Sequence, residues 1–213
     1  MLIKVCGITE KTCNPSRLQG KADMLGFIFH SPSPRHAFEM EVEDVKKLGS
    51  GFDTVGVFVD NPIEHVVFQS YRRGIKTLQL HGKEPAEYAA RLKEMGYKVI
   101  KAFSITPEMR GDVLNEITRP YEGSADMFLF DTGGKKAGGN GVKFDWSVLR
   151  SYSGHTPYLL SGGLAAEDIP AIVAMNKDEF PMMAGIDLNS RFEISPGQKD
   201  IDLLLNVLEK IKG

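Results

Sequence analysis

Cysteine is scarce in this chain, charge of neither sign dominates, and nothing at its start resembles a targeting leader. The two cysteines among 213 residues, Cys6 and Cys13, have a spacing that matches no common zinc or redox motif. The first residues lack a charged region followed by a long apolar one, so the expected compartment is reducing and cytoplasmic. Lysine and arginine total 26 against 28 aspartate and glutamate. Without a basic field or a polybasic stretch, nucleic acid and membrane surfaces drop out as expected partners and small molecules remain. No linker-like stretch divides the chain, and a 42% hydrophobic content is ample for a core. One domain over residues 1–213 is the expectation.

What the chain does have is alternation. Short strand-like apolar runs fall at 2–6, 24–29, 54–59, 77–80, 99–103, 127–131, 158–161 and 182–188. Between them lie amphipathic stretches with helical spacing at 41–48, 63–72, 85–95, 166–175 and 201–211. Two intervening segments are ambiguous: Asn14-Pro15 interrupts the first, and Gly111 and Pro120 flank another. Repeated βα units imply a parallel sheet, either a (β/α)₈ TIM barrel or an open doubly wound sheet. Side-chain parity favours the barrel. Counting back by twos from each strand end puts Lys4, Cys6, Gln79, His81, Lys101, Leu129, Asp131, Ser161, Gly185 and Asp187 on one face. The polar groups gather at carboxyl ends, where a barrel builds its active site.

Two of these ends carry proton-transfer groups. Cys6 closes an apolar run and is followed at once by Gly7, Ile8 and Thr9, while Asp131 closes Phe128-Leu129-Phe130 in the same way. A thiol and a carboxyl at one mouth suggest acid–base chemistry. Ser161-Gly162-Gly163-Leu164 runs from a strand into a helix, so its backbone N–H groups are placed to cradle a phosphate. Gly138-Gly139-Asn140-Gly141 reads as flexible or as a closing loop anchored by Phe144 and Trp146. In Ser31-Pro32-Ser33-Pro34-Arg35, the prolines restrict the backbone and aim one arginine at an anionic group. Each feature has a plainer reading when taken alone: buried filler for the cysteine, a cap for the aspartate, an ordinary turn for the glycine pair.

Taken in order, these motifs resemble the phosphoribosylanthranilate isomerase family over nearly the whole chain. The resemblance rests on Lys4-Val5-Cys6-Gly7-Ile8-Thr9, Gly26-Phe27-Ile28-Phe29, Ser33-Pro34-Arg35, Val55-Gly56-Val57-Phe58-Val59 and Gln79-Leu80-His81-Gly82. It continues through Asp131-Thr132, the Gly138–Gly141 stretch with Phe144-Asp145-Trp146, Ser161-Gly162-Gly163-Leu164 and Asp187-Leu188-Asn189-Ser190, then Glu193, Pro196-Gly197 and Lys199-Asp200. Ser31-Pro32 stands where the family often has Pro-Lys, and Arg191 where glycine is common. These departures leave open the shape of the second loop and the phosphate contacts near the last strand.

The resemblance implies an Amadori rearrangement in tryptophan biosynthesis, converting N-(5-phosphoribosyl)anthranilate to 1-(o-carboxyphenylamino)-1-deoxyribulose 5-phosphate. It implies Cys6 as general base and Asp131 as general acid, Arg35 on the anthranilate carboxylate, and Gln79, His81 and Asp187 along the substrate cleft. Gly162, Gly163, Asn189 and Ser190 would hold the phosphate. No metal or cofactor is expected, and the chain would be a monomer or a homodimer. Lys4, one layer below the thiol, is expected to favour its anion. Two other readings remain at this point: another phosphosugar barrel, such as a Schiff-base aldolase using Lys101 or an isomerase of histidine biosynthesis, and a catalytically silent metabolite-binding protein.

Overall fold

The structure is a computed structural model that describes residues 1–133, 143–175, 178–180 and 182–212. Eight parallel strands close into a barrel in sequence order: β1 Leu2–Cys6, β2 Met24–Phe29, β3 Asp53–Phe58, β4 Thr77–Leu80, β5 Lys98–Ile105, β6 Met127–Thr132, β7 Tyr158–Leu160 and β8 Met183–Leu188. Closure comes from β1 pairing with β2 on one side and β8 on the other. The barrel expectation is therefore met and the open sheet is excluded.

Helices α1 Val42–Gly49, α2 Ile63–Arg73, α3 Ala86–Glu94, α4 Gly111–Thr118, α5 Ile169–Ala174 and α6 Ile201–Lys212 form the outer ring. The ends of α2 reflect its sequence: Pro62 precedes the first turn, Glu64 lies in it, Arg72 and Arg73 close the last turn, and Gly74 leaves it in the left-handed region at φ 69°. The two ambiguous segments part company. Residues 111–118 form α4, which ends in a 3₁₀ turn, Arg119–Tyr121, containing Pro120. After β1 there is only a 3₁₀ turn, Pro15–Leu18, because Asn14 is left-handed at φ 51° and Pro15 restarts the chain. Among the described residues no helix is long and apolar enough to cross a membrane.

Two apolar layers result. Met24, Val55, Val57, Ile100, Ala102, Leu129 and Leu159 fill the barrel with Cys6 at their edge. The larger outer layer lies between strands and helices and includes an aromatic cluster of Phe103, Phe128, Phe130, Tyr152 and Tyr158. Inward strand positions thus carry small and branched residues, and outward ones carry the aromatics.

Lys101 corrects the parity reading. Ala102 pairs in register with Leu129 inside the barrel, so Lys101, paired with Phe128, faces outward beside Val99 and Phe103. There its ammonium is almost fully buried, 2.8 Å from Glu84 Oε2 and 2.7 Å from the Gly82 carbonyl, above the Tyr121 ring. Glu84 also accepts the N–H groups of Asp60 and Gly82, so the pair clamps the turn after β4. Removing one member of a buried pair leaves an uncompensated charge at a cost of roughly 3–5 kcal/mol. Lys101→Met is accordingly expected to lower unfolding free energy by about that amount in denaturant titration, and an unchanged midpoint would contradict the clamp.

Candidate active site

At the carboxyl end of the strands a cleft of about 670 Å³, counting space open to solvent, is lined by Cys6, Gln79, His81, Asp131, Ser161, Gly162, Gly163, Asp187, Asn189 and Ser190. Nine of the ten residues singled out from the sequence are among these; Arg35 is the exception. Lys4 lies beneath the thiol, since register pairs it with Asp187 across the β1–β8 seam and its ammonium sits 2.9 Å from Asp187 Oδ1. Gly26 stands opposite Cys6, and a Cβ built there would fall 2.8 Å from the thiol sulfur and 3.2 Å from Lys4 Nζ. The absence of a side chain at position 26 is what gives both groups their space.

Burial pushes Cys6 upward, Lys4 pulls it down, Asp187 pushes it up again, and the outcome lies above the ordinary thiol value. Lys4, whose ammonium also serves Asp187, offsets burial rather than overcoming it. The expected anion-favouring role of Lys4 is therefore real in sign but outweighed.

On the opposite side, Asp131 Oδ1 accepts its neighbour's N–H from Thr132 at 2.9 Å, and Oδ2 lies 3.4 Å from His81 Nε2. Gln79 approaches His81 Nδ1 at 2.9 Å. With the Gln79 amide donating to Nδ1, the imidazole carries its proton on Nε2, facing Asp131. Asp187 completes the floor: besides Lys4 it accepts from Ser161 Oγ at 3.3 Å.

Gly162 and Gly163 have φ values of 91° and 65°, consecutive left-handed residues of the kind that turn backbone N–H groups toward an anion. A Cβ at position 162 would come within 2.5 Å of the Thr132 backbone nitrogen, so the turn needs glycine for closeness as well as for conformation. Asp168 steadies the segment leading into α5 by accepting the Ala165 N–H at 2.7 Å and pairing with Lys143 at 2.6 Å. Phe144 is buried and Trp146 half-buried, as a packed anchor requires, while Gly138 to Gly141 lie outside the described residues.

Arg35 does not line the cleft. Its Nε lies 3.0 and 2.9 Å from the two oxygens of Glu193, and Nη2 lies 2.8 Å from Oε2. Sequence reasoning carried Glu193 and Lys199 only as parts of a pattern, and it missed His30. The signal for His30 was available, since it continues the inward parity of Gly26 and Ile28 into the mouth. Lys101 faces away from this cleft, its ammonium taken by Glu84 behind the His81-Gly82 turn, which removes the Schiff-base reading built on it.

Geometrically this is a parallel (β/α)₈ barrel with a thiol, a carboxyl and a glycine turn gathered at one mouth. Comparison makes it specific. The family model for N-(5'-phosphoribosyl)anthranilate (PRA) isomerase matches residues 3–210. An N-(5'-phosphoribosyl)anthranilate isomerase of Parabacteroides distasonis is 42% identical, covering 99% of this chain and 93% of the relative. The crystal structure of phosphoribosyl anthranilate isomerase from Thermotoga maritima superimposes with a TM-score of 0.81 at 28% identity over 100% of both chains. Another such isomerase, solved in complex with reduced 1-(o-carboxyphenylamino)-1-deoxyribulose 5-phosphate, gives 0.75 at 25% identity over 100% of both chains. The chain belongs to the N-(5'-phosphoribosyl)anthranilate isomerase family, and it is an isomerase of tryptophan biosynthesis.

The resting state of the thiol is directly measurable. In a Cys13→Ser background, which leaves Cys6 as the remaining cysteine, thiolate absorbance should titrate above about 8.5, the ordinary value. Lys4→Met should move that midpoint further upward, because the nearest cation is gone. A downward move would mean that Lys4 does not favour the thiolate.

Proposed function

We propose that Cys6 is the general base and Asp131 the general acid of the Amadori rearrangement. The observation that carries this reading is the placement of a thiol at the end of β1 and a carboxyl at the end of β6 on opposite walls of one cleft. Asp131 protonates the furanose ring oxygen, the C–O bond opens, and the substrate nitrogen takes the charge as an iminium. Cys6, as thiolate, then removes the proton from the adjacent sugar carbon, and the electron pair flows to nitrogen to give the enolamine. Tautomerisation yields the ketone. The nitrogen serves as electron sink throughout, so the sequence of steps is complete with the chain's own acid and base.

The remaining residues take roles set by charge and position. Gly162 and Gly163 after β7, with Asn189 and Ser190 after the neighbouring β8, hold the phosphate through backbone N–H groups. His81, its proton directed at Asp131, keeps the acid aligned, and Gln79 fixes the imidazole. Asp187 anchors Lys4 under the thiol. Arg35 reads the ring carboxylate with the edge of its guanidinium that Glu193 leaves unused.

Substitution separates the two proton-transfer roles from binding. Cys6→Ala and Asp131→Asn should each lose most of kcat, about 10²-fold or more, while product affinity stays near that of the wild type. Because the thiol is raised, kcat/KM should climb with pH until Cys6 ionises, and that limb should vanish in Cys6→Ala. Normal turnover by either variant would assign its step to another group.

Carboxylate reading is tested by removing one partner from each side. A hydrogen-bonded charge is worth roughly 1.5–3 kcal/mol, so Arg35→Met should weaken the carboxylated product by about one to two orders of magnitude. A ligand lacking the ring carboxylate should bind both proteins alike, and zero coupling in that cycle would remove Arg35 from substrate recognition.

A further inference from the structure

Between β8 and α6 the chain makes a small hairpin, β9 Glu193–Ser195 and β10 Gln198–Lys199, that no step of the chemistry uses. Its two ends are charged, and both are hidden: Lys199 has no exposed side-chain surface and Glu193 has 3%. Lys199 Nζ lies 2.8 Å from Glu193 Oε1 and 2.8 Å from Asn189 Oδ1, and the Gly197 N–H adds a 3.2 Å contact to the same Glu193 oxygen. The hairpin is pinned in turn to the loop after β1, because the hydroxyls of Thr9 and Thr12 both donate to the Gly197 carbonyl, at 2.8 and 3.0 Å.

Such an arrangement is poorly explained as a source of stability, since burying two charges costs more than most pairs return. It is well suited to fixing a third group. Arg35 sits on a proline-limited loop, but its side chain retains its own rotamer freedom, and a loop arginine without a partner samples solvent. Here it is 12% exposed and held side-on, with Nε against both oxygens of Glu193 and Nη2 against one. Glu193 cannot follow the arginine outward, because Lys199 and Gly197 hold it from behind. Gly7 brings the parts together: a Cβ there would fall 2.7 Å from Asn189 Oδ1, 3.0 Å from Arg35 Cδ and 3.4 Å from Lys199 Nζ. Two cations also share one carboxylate, which leaves a positive surplus for an arriving anion.

We propose that the hairpin is a positioning device for substrate recognition, in which Glu193 fixes the Arg35 guanidinium for the ring carboxylate and Lys199 fixes Glu193 and Asn189 together. The inference rests on the reading of Arg35 given under Proposed function and adds the residues through which it is set. Glu193 and Lys199 act as positioning residues and touch no reacting atom. The arrangement lowers the cost of ordering a long side chain when substrate binds, and its effect therefore belongs to binding rather than to the proton transfers.

The test compares the full chain with Glu193→Gln, using the reduced product 1-(o-carboxyphenylamino)-1-deoxyribulose 5-phosphate and the same compound without its ring carboxylate. The variant should raise KM and weaken the carboxylated ligand about tenfold. Its kcat should remain within about twofold of the wild type, and the decarboxylated ligand should bind unchanged. Adding Glu193→Gln to Arg35→Met should cost no further discrimination, a result that a general loosening of the fold would not give. If Glu193→Gln fails to fold by thermal scan, Glu193→Asp keeps the charge, shortens the reach by one methylene and should show the same selective loss. Equal or tighter binding of the carboxylated ligand by a folded variant overturns the proposal, because Glu193 would then merely compete for Arg35. If the wild type itself does not distinguish the two ligands, the reading of Arg35 has failed instead.

Discussion

The site depends first on one buried contact, Lys4 Nζ against Asp187 Oδ1, at the seam where the barrel closes. Neither side chain has solvent to turn to, with 0% and 6% exposure, so each charge is tolerable only because of the other. The register that closes β1 on β8 is the register that joins them, and a slip of one residue would put them on opposite faces. The pair also sets the surroundings of the thiol. Burial pushes the Cys6 thiol up, and an ammonium already claimed by a carboxylate offsets that push less than a free one would.

A pattern recurs around the mouth. Buried ion pairs at Lys101–Glu84 and Lys199–Glu193 each hold a turn that carries a polar residue of the cleft, His81-Gly82 in one case and Asn189 in the other. Strand ends are rigid because the ladder fixes them, but the loops just beyond have lost that support. Charged anchors placed behind the loops, away from the reacting groups, extend the rigidity of the barrel by several residues.

Much of this is legible in the sequence because it is local. Cys6, Asp131 and the Gly162-Gly163 turn announce themselves by lying at the ends of apolar runs, and chain order then supplies the topology. The misreadings involve distance or register. Counting from the end of β5 turns Lys101 inward, yet alternation fixes faces only relative to a neighbour, and pairing of Ala102 with Leu129 reverses the choice. The Glu193 partner of Arg35 lies 158 residues away, beyond any pattern of spacing. The weight of Asp187 on the thiol cannot be foreseen either, since it depends on the β1–β8 register that sets Asp187 beside Lys4. The first crossover shows its break in Asn14-Pro15 but not that a single 3₁₀ turn suffices.

The seam has a consequence for how the molecule is made. Lys4 and Asp187 are 183 residues apart, so a ribosome delivers β1, with an ammonium on its inward face, long before the carboxylate that will neutralise it. Until β8 arrives, β1 has one unpaired edge and Lys4 has no carboxylate beside it, so burying the strand in a partial barrel carries the cost of an unpaired charge. The same charge that later sits beneath the thiol thus makes premature closure costly. The last strand to appear is the one that permits the first to be buried.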